Sequence, residues 1–212
     1  MSINVFISFR YADGISYKEE LVKILGESDR IIDFSEDEDR SGLSEDTIRE
    51  YLYSKIRRTS VTIIIITPQA VNHRKNIYGY YDDWMHDEIR YSLEDRDSNR
   101  TSGLVAVYTN DAKDSLISID NHTCDKCNKI QQVSRIIEVE NLFRKNMMNV
   151  KKEYKKNKCD NLYDSRYDSY CQLVSYEDFK ANPEKYISFA YEKKQKVERY
   201  ELVKNLNKYG GL

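Results

Sequence analysis

Proline is almost absent from this 212-residue chain, which has only Pro68 and Pro183, and glycine is sparse at seven residues. No Gly/Pro/Ser linker divides the chain, and neither an internal repeat nor a low-complexity tract is visible. Long apolar runs are missing as well. The longest apolar-rich stretch, Val61 to Ile66, is strand-sized, whereas a membrane span needs roughly 20 such residues. An excess of one charge is also lacking. Thirty-four basic and 36 acidic side chains leave a net charge of -2, with no basic footprint for nucleic acid. The chain opens Met-Ser-Ile-Asn and passes directly into an apolar segment, without the pattern of a signal peptide. Four cysteines with no export signal fit reduced thiols. A soluble, cytoplasmic protein with neither membrane nor nucleic-acid partners is expected.

What is present is 40% hydrophobic and 33% charged, with eighteen tyrosines against one tryptophan. That is a globular composition with a polar exterior and many amphipathic rings. Ile3 to Phe9 reads as a strand ending in a polar turn, Arg10 to Gly14. Tyr17, Leu21, Ile24 and Leu25 then share one helical face, and Gly26 stands at a C-terminal stop. Arg30 to Phe34 reads as a second strand, and Ser35 to Gly42 as an acidic loop. Ser44 is a good N-cap for a helix with Glu45 and Asp46 in its first turn and Ile48, Tyr51, Leu52 and Ile56 on its buried side. Val61 to Thr67, β-branched almost throughout, has the character of a central parallel strand covered on both faces. A polar loop, a helix from Asp82 to Asp95 and a strand at Leu104 to Thr109 follow. Alternation of this kind predicts a parallel sheet with right-handed crossovers, a flavodoxin-like three-layer α/β sandwich.

After Asn110 the pattern changes. Residues 111–130 have no clear period, Ile136 to Val150 reads as helix, Lys151 to Asp168 as loop, and Tyr186 to Leu206 as a long C-terminal helix. Residues 1–110 are thus expected to form the core, and residues 111–212 an α-rich extension packed on it. The extension holds Cys124-Asp-Lys-Cys127, which has metal-ligand spacing. Cys159 and Cys171 could complete a tetrahedral site, with His122 as a further candidate. The eleven residues between the second pair, and the lack of glycine-rich knuckle turns, speak instead for free thiols. Zinc is left open, and no metal is included among the expected site residues.

Three ordered segments resemble a known family. Val5-Phe6-Ile7-Ser8-Phe9-Arg10 resembles the opening strand of TIR domains. Thr59 to Thr67 looks like their central strand, and Trp84-Met85-His86-Asp87-Glu88-Ile89 resembles the Trp-x-x-x-Glu helix of enzymatic TIR domains. Order and spacing fit the TIR-like group typified by ThsB of the bacterial Thoeris anti-phage systems. The resemblance implies cleavage of NAD, as substrate and with no cofactor required, at the bond between nicotinamide and ribose. It further implies an ADP-ribose-derived product, cyclic or conjugated, that signals to a separate effector, and self-association through TIR surfaces. The family's catalytic glutamate maps onto Glu88.

Residue chemistry is compatible with that mapping. Nicotinamide in NAD is already cationic and departs without a general acid, unlike the leaving groups that make most glycosidases use two carboxylates. One carboxylate can hold the ribose hydroxyls and stabilise oxocarbenium-like charge. Trp84 lies one helical turn before Glu88 and should project to the same side. Phe6, Ser8, Phe9 and Arg10 come from the C-terminal end of the first strand, the edge where open parallel sheets bind ligands. Arg10 would hold a diphosphate, Ser8 a ribose hydroxyl, and Phe6 or Phe9 a ring face.

Blander roles stand beside these. A Trp and a Glu four apart are commonly one core anchor and one solvated carboxylate, Asp83 and Asp87 read as surface charges, and His86 should point elsewhere. A non-enzymatic TIR adaptor assembling through the Ser35 to Gly42 loop is the main alternative, since fold does not fix function. A CheY-like receptor using Asp13 and Asp33 for Mg²⁺ ranks last.

Overall fold

A computed structural model describes residues 2–33, 44–71, 84–95, 100–136, 141–157, 159 and 161–204. The first strand, β1 (Ile3–Ser8), leads into α1 (Tyr11–Leu25), followed by β2 (Ile31–Asp33), α2 (Glu45–Ile56), β3 (Val61–Ile66), α3 (Trp84–Leu93) and β4 (Gly103–Tyr108). Then come α4 (Asn110–Leu116), a hairpin of β5 (Ile117–Thr123) and β6 (Ile130–Ile136), α5 (Asn141–Lys145), β7 (Cys171–Ser175), α6 (Tyr176–Ala181) and α7 (Pro183–Lys194). The main sheet has five parallel strands in the order β2-β1-β3-β4-β7. Connections leave β1 in one direction and β3 in the other, so the switch in strand order falls between β1 and β3.

Alternation along the strands divides the core. Val5, Ile7, Ile63, Ile65, Val105 and Val107 point to one face and pack with Leu21 and Leu25 of α1, Phe179 of α6 and Ile187 of α7. Ile64, Ile66, Leu104 and Ala106 point to the other, against Met85, Ile89 and Leu93 of α3. Phe6 joins that second face beside Leu52 and Ile56 of α2 and Tyr91 of α3. β3 is buried at every position, as its unbroken apolar run requires.

Local signals set several boundaries. The Ser44 hydroxyl accepts the Thr47 N–H and caps α2. Asn182 caps α7 by accepting the Lys185 N–H, with Pro183 in the first turn. Helix α1 ends at Leu25 before Gly26.

Other expectations need correction. The polar turn expected at residues 10–14 does not exist as such, because α1 begins at Tyr11. The helix expected over Ile136 to Val150 contracts to Asn141–Lys145, and Ile136 ends a strand. The C-terminal helix expected from Tyr186 to Leu206 instead begins at Pro183 and ends at Lys194, and a separate short helix, Tyr176–Ala181, precedes it. Residues 171–175, beyond the expected core boundary, supply the fifth strand of the sheet. A two-stranded antiparallel hairpin occupies the stretch that had no visible period. The Ser35 to Gly42 loop, Phe34, Asp82 and Asp83 lie outside the described residues.

Candidate functional site

Helix α3 presents three stripes, each fixed by its contacts. Met85, Ile89 and Leu93 enter the core. Ser92 shares a hydrogen bond of 2.8 Å between its hydroxyl and that of Thr62 on β3, while Tyr91 packs on Phe6 of β1. At about 100° per residue, Glu88 falls between Ser92 and Tyr91 in rotation, one turn nearer the N-terminus of α3. Its side chain therefore faces the β1–β3 pair.

The level along the strands follows from the register. Phe6 pairs with Thr62, and Ser8 with Ile64. One helical turn rises about 5.4 Å, and two strand residues about 6.6 Å. Since α3 runs back along the strands, a step from Tyr91 to Glu88 matches a step from Phe6 to Ser8. By register and helical rise, Glu88 on α3 and Ser8 on β1 fall at similar levels towards the C-terminal end of the sheet, beside the switch point. Both residues are buried, Glu88 at 6% and Ser8 at 1% exposure, and the Ser8 Oγ has no hydrogen-bond partner among the described residues. A buried hydroxyl without a partner costs free energy.

The remaining expected site residues are placed differently from one another. Phe6 is fully buried and its ring belongs to the core with Leu52, Ile56 and Tyr91, beneath the level of Ser8. Phe9 packs with the α1 side of the sheet, opposite Glu88. Arg10 donates from Nη1 to the Gln69 carbonyl at 2.7 Å. Beside it, Asp13 accepts from the Thr67 hydroxyl at 2.7 Å and the Gln69 N–H at 3.0 Å. These bonds tie the start of α1 to the segment after β3 and engage both carboxylate oxygens of Asp13. Trp84 opens α3, and its side chain, like that of His86, lies outside the described residues.

Asp87 corrects an expectation: it is buried, not a surface charge. Its carboxylate lies 3.6 Å from Arg90 Nε, and Arg90 also pairs with Glu94 and donates to the Tyr53 hydroxyl of α2 at 2.6 Å. The rings of Tyr53 and Tyr91 stack with centroids 3.7 Å apart. Burial works against the Arg90 cation, but Tyr53, Glu94 and Asp87 outweigh it and raise its pKa. This bracket fixes α3 against α2 and thereby holds the rotation that aims Glu88. Sequence reasoning missed it, although Asp87, Arg90 and Glu94 stand at i, i+3 and i+7, a spacing that places them on one stripe.

Of the four cysteines, three come together. The sulfurs of Cys124, Cys127 and Cys159 lie within 4.8 Å of one another. Cys171 is buried alone in β7, where desolvation holds its thiol well above the usual range. His122 is exposed on β5 and is not a member of the group.

A parallel sheet in the order β2-β1-β3-β4-β7 with helices on both faces is a flavodoxin-like α/β arrangement consistent with a TIR fold. Residues 6–114, just over half the chain, match the family model described as Thoeris protein ThsB, TIR-like domain. The chain belongs to that family, which ties it to Thoeris anti-phage defence and is compatible with NAD-cleaving activity. No helix among the described residues is long and apolar enough to cross a membrane.

Proposed function

We propose that this protein cleaves NAD between nicotinamide and ribose and converts the ADP-ribose moiety into a nucleotide signal for a separate effector. Glu88 is the catalytic carboxylate. The observation that supports this best is the burial of Glu88 on α3 together with that of the unpartnered Ser8 hydroxyl at the end of β1. Nicotinamide carries its positive charge before the bond breaks and leaves as a neutral molecule. The barrier is then set by the cationic ribose left behind. A carboxylate buried away from water stabilises that charge far more than a solvated one, because the local dielectric is low. Ser8 is suited to hold a ribose hydroxyl beside it. Phe6 supports the floor of the site from the core, and Arg10 acts through its bond to Gln69 by shaping the rim.

The test is nicotinamide release from NAD by the purified protein, alone and with lysate of phage-infected cells, with the nucleotide products identified by mass spectrometry. Glu88→Gln should reduce release by at least 100-fold with an unchanged circular dichroism spectrum, a loss of the size expected for one electrostatic group. Ser8→Ala should reduce it less and leave stability intact or slightly higher. Full activity in Glu88→Gln would remove the assignment. Failure of any preparation to act on NAD, while the protein still binds partners, would favour the adaptor alternative.

A further inference from the structure

The tip of the β5–β6 hairpin is built like a metal-binding turn. The Cys124 N–H donates to the Lys129 carbonyl at 2.9 Å, and the Asn128 N–H donates to the Cys124 carbonyl at 2.7 Å. The turn passes through Asn128 at φ 55°, the left-handed conformation that glycine usually supplies and asparagine tolerates best among other residues. This satisfies the requirement for a knuckle turn without a glycine. Inside the turn the backbone N–H groups of Lys126 and Cys127 are directed at the Cys124 sulfur, and that of Lys129 at the Cys127 sulfur.

The third sulfur arrives from 35 residues away. Cys159 Sγ lies 3.3 Å from Cys124 Sγ, too far for a disulfide and close to the spacing of ligands around one ion. Metal–sulfur bonds of about 2.3 Å in a tetrahedron set the sulfurs about 3.8 Å apart. The Cys159 segment is held in place independently: its N–H donates to Asn157 Oδ1 at 3.1 Å, and its carbonyl accepts from Lys155 Nζ at 2.9 Å. Next to it the Tyr163 N–H donates to Gln131 Oε1 of β6 at 2.9 Å.

The hairpin also needs a fastening. Positions 119–123 of β5 are all exposed, as are residues 125–130 around the turn, whereas Cys124 is fully buried. A small element without its own apolar core is held by cross-links or metal.

We propose that Cys124, Cys127 and Cys159 bind one zinc ion as a structural site that staples the β5–β6 hairpin to the segment around residues 157–163. Each thiol gives its proton to solvent as its sulfur coordinates, with no change of oxidation state. The fourth position is left for water. This site is separate from the one assigned to NAD, and neither depends on the other.

The test uses the full chain purified under reducing conditions without chelator. Elemental analysis should find one zinc per chain. Replacement by cobalt should give the near-ultraviolet thiolate-to-metal charge-transfer band and the intense visible bands of a tetrahedral site. Cys124→Ser and Cys159→Ser should lose the metal, and Cys171→Ser should keep it. Should Cys124→Ser fail to fold, Cys127→Ser, at an exposed position, and chelation of the wild-type protein serve instead. Chelation should lower the melting temperature by several degrees and render three more thiols reactive to a disulfide reagent. Reduced wild-type protein that takes up neither zinc nor cobalt, or that keeps its metal in the Cys124 and Cys159 variants, would overturn the proposal. So would isolation of a Cys124–Cys159 disulfide from protein kept reduced throughout.

Discussion

Replacing Lys193 by methionine should make the protein more stable at neutral pH. Lys193 lies near the end of α7 at 5% exposure, and its Nζ has no hydrogen-bond partner among the described residues. Burial is the largest influence on it and pushes the amine down to about 8. Cys171 and Asp164 pull the other way, joined by Glu192, while Arg166 adds to the lowering. The Cys171 thiol is itself held neutral by burial and offers little counter-charge. Moving an amine from 10.5 to about 8 corresponds to roughly 3 kcal/mol at ~1.4 kcal/mol per pH unit. The folded-state pKa lies below the unfolded one. Below about pH 8 both states carry the proton, and the full penalty for burying the charge is present. As pH rises from about 8 to about 10.5 the folded form releases its proton first, so stability rises and the penalty fades. Methionine has a similar length and no charge, which removes the penalty at all pH values. Urea unfolding of both proteins should show the variant ahead by up to ~3 kcal/mol near pH 7, and by about 1 kcal/mol near pH 10. A variant that is less stable than the wild type near pH 7, or whose advantage does not change with pH, would refute the assignment of an unpaired buried amine.

Two further substitutions probe what positions the site. In Gly103→Ala the new Cβ would lie 2.2 Å from the Ala190 carbonyl oxygen, where α7 crosses β4. Backbone must move to make room, so a loss of about 3 kcal/mol is expected, read as a lowered melting temperature. An unchanged melting temperature would mean that α7 is not seated there. Arg90→Ala leaves the buried Asp87 and Glu94 without their cation and should cost about 3 kcal/mol, seen in chemical denaturation. Arg90→Lys should recover only part, because an ammonium cannot reach Asp87, Glu94 and Tyr53 with one planar fork.

Much of the α/β core was legible locally. The β-branched run of β3 and the serine cap of α2 each declare themselves within a few residues, because side-chain period and capping are short-range properties, whereas α7 begins at Pro183, ahead of the expected Tyr186. The placement of Ser8 on the same side of β1 as Phe6, facing α2 and α3, was legible only in outline. Strand edge and helix spacing suggested a common crevice, but which of Phe6, Ser8 and Phe9 faces it depends on the two sides of the sheet. The β5–β6 hairpin left no alternating apolar signal because most of its described side chains are exposed.

Sequence by itself determined the order of strand and helix over the first 110 residues and the family, both of which are written in contiguous motifs. Tertiary structure decided the rest. It added residues 171–175 as the fifth strand, gathered three cysteines from positions 124 to 159, and turned Asp87 and Lys193 from ordinary charges into buried ones. The physical reason is that desolvation and long-range strand pairing depend on what packs from elsewhere in the chain. No window of neighbouring residues contains that information.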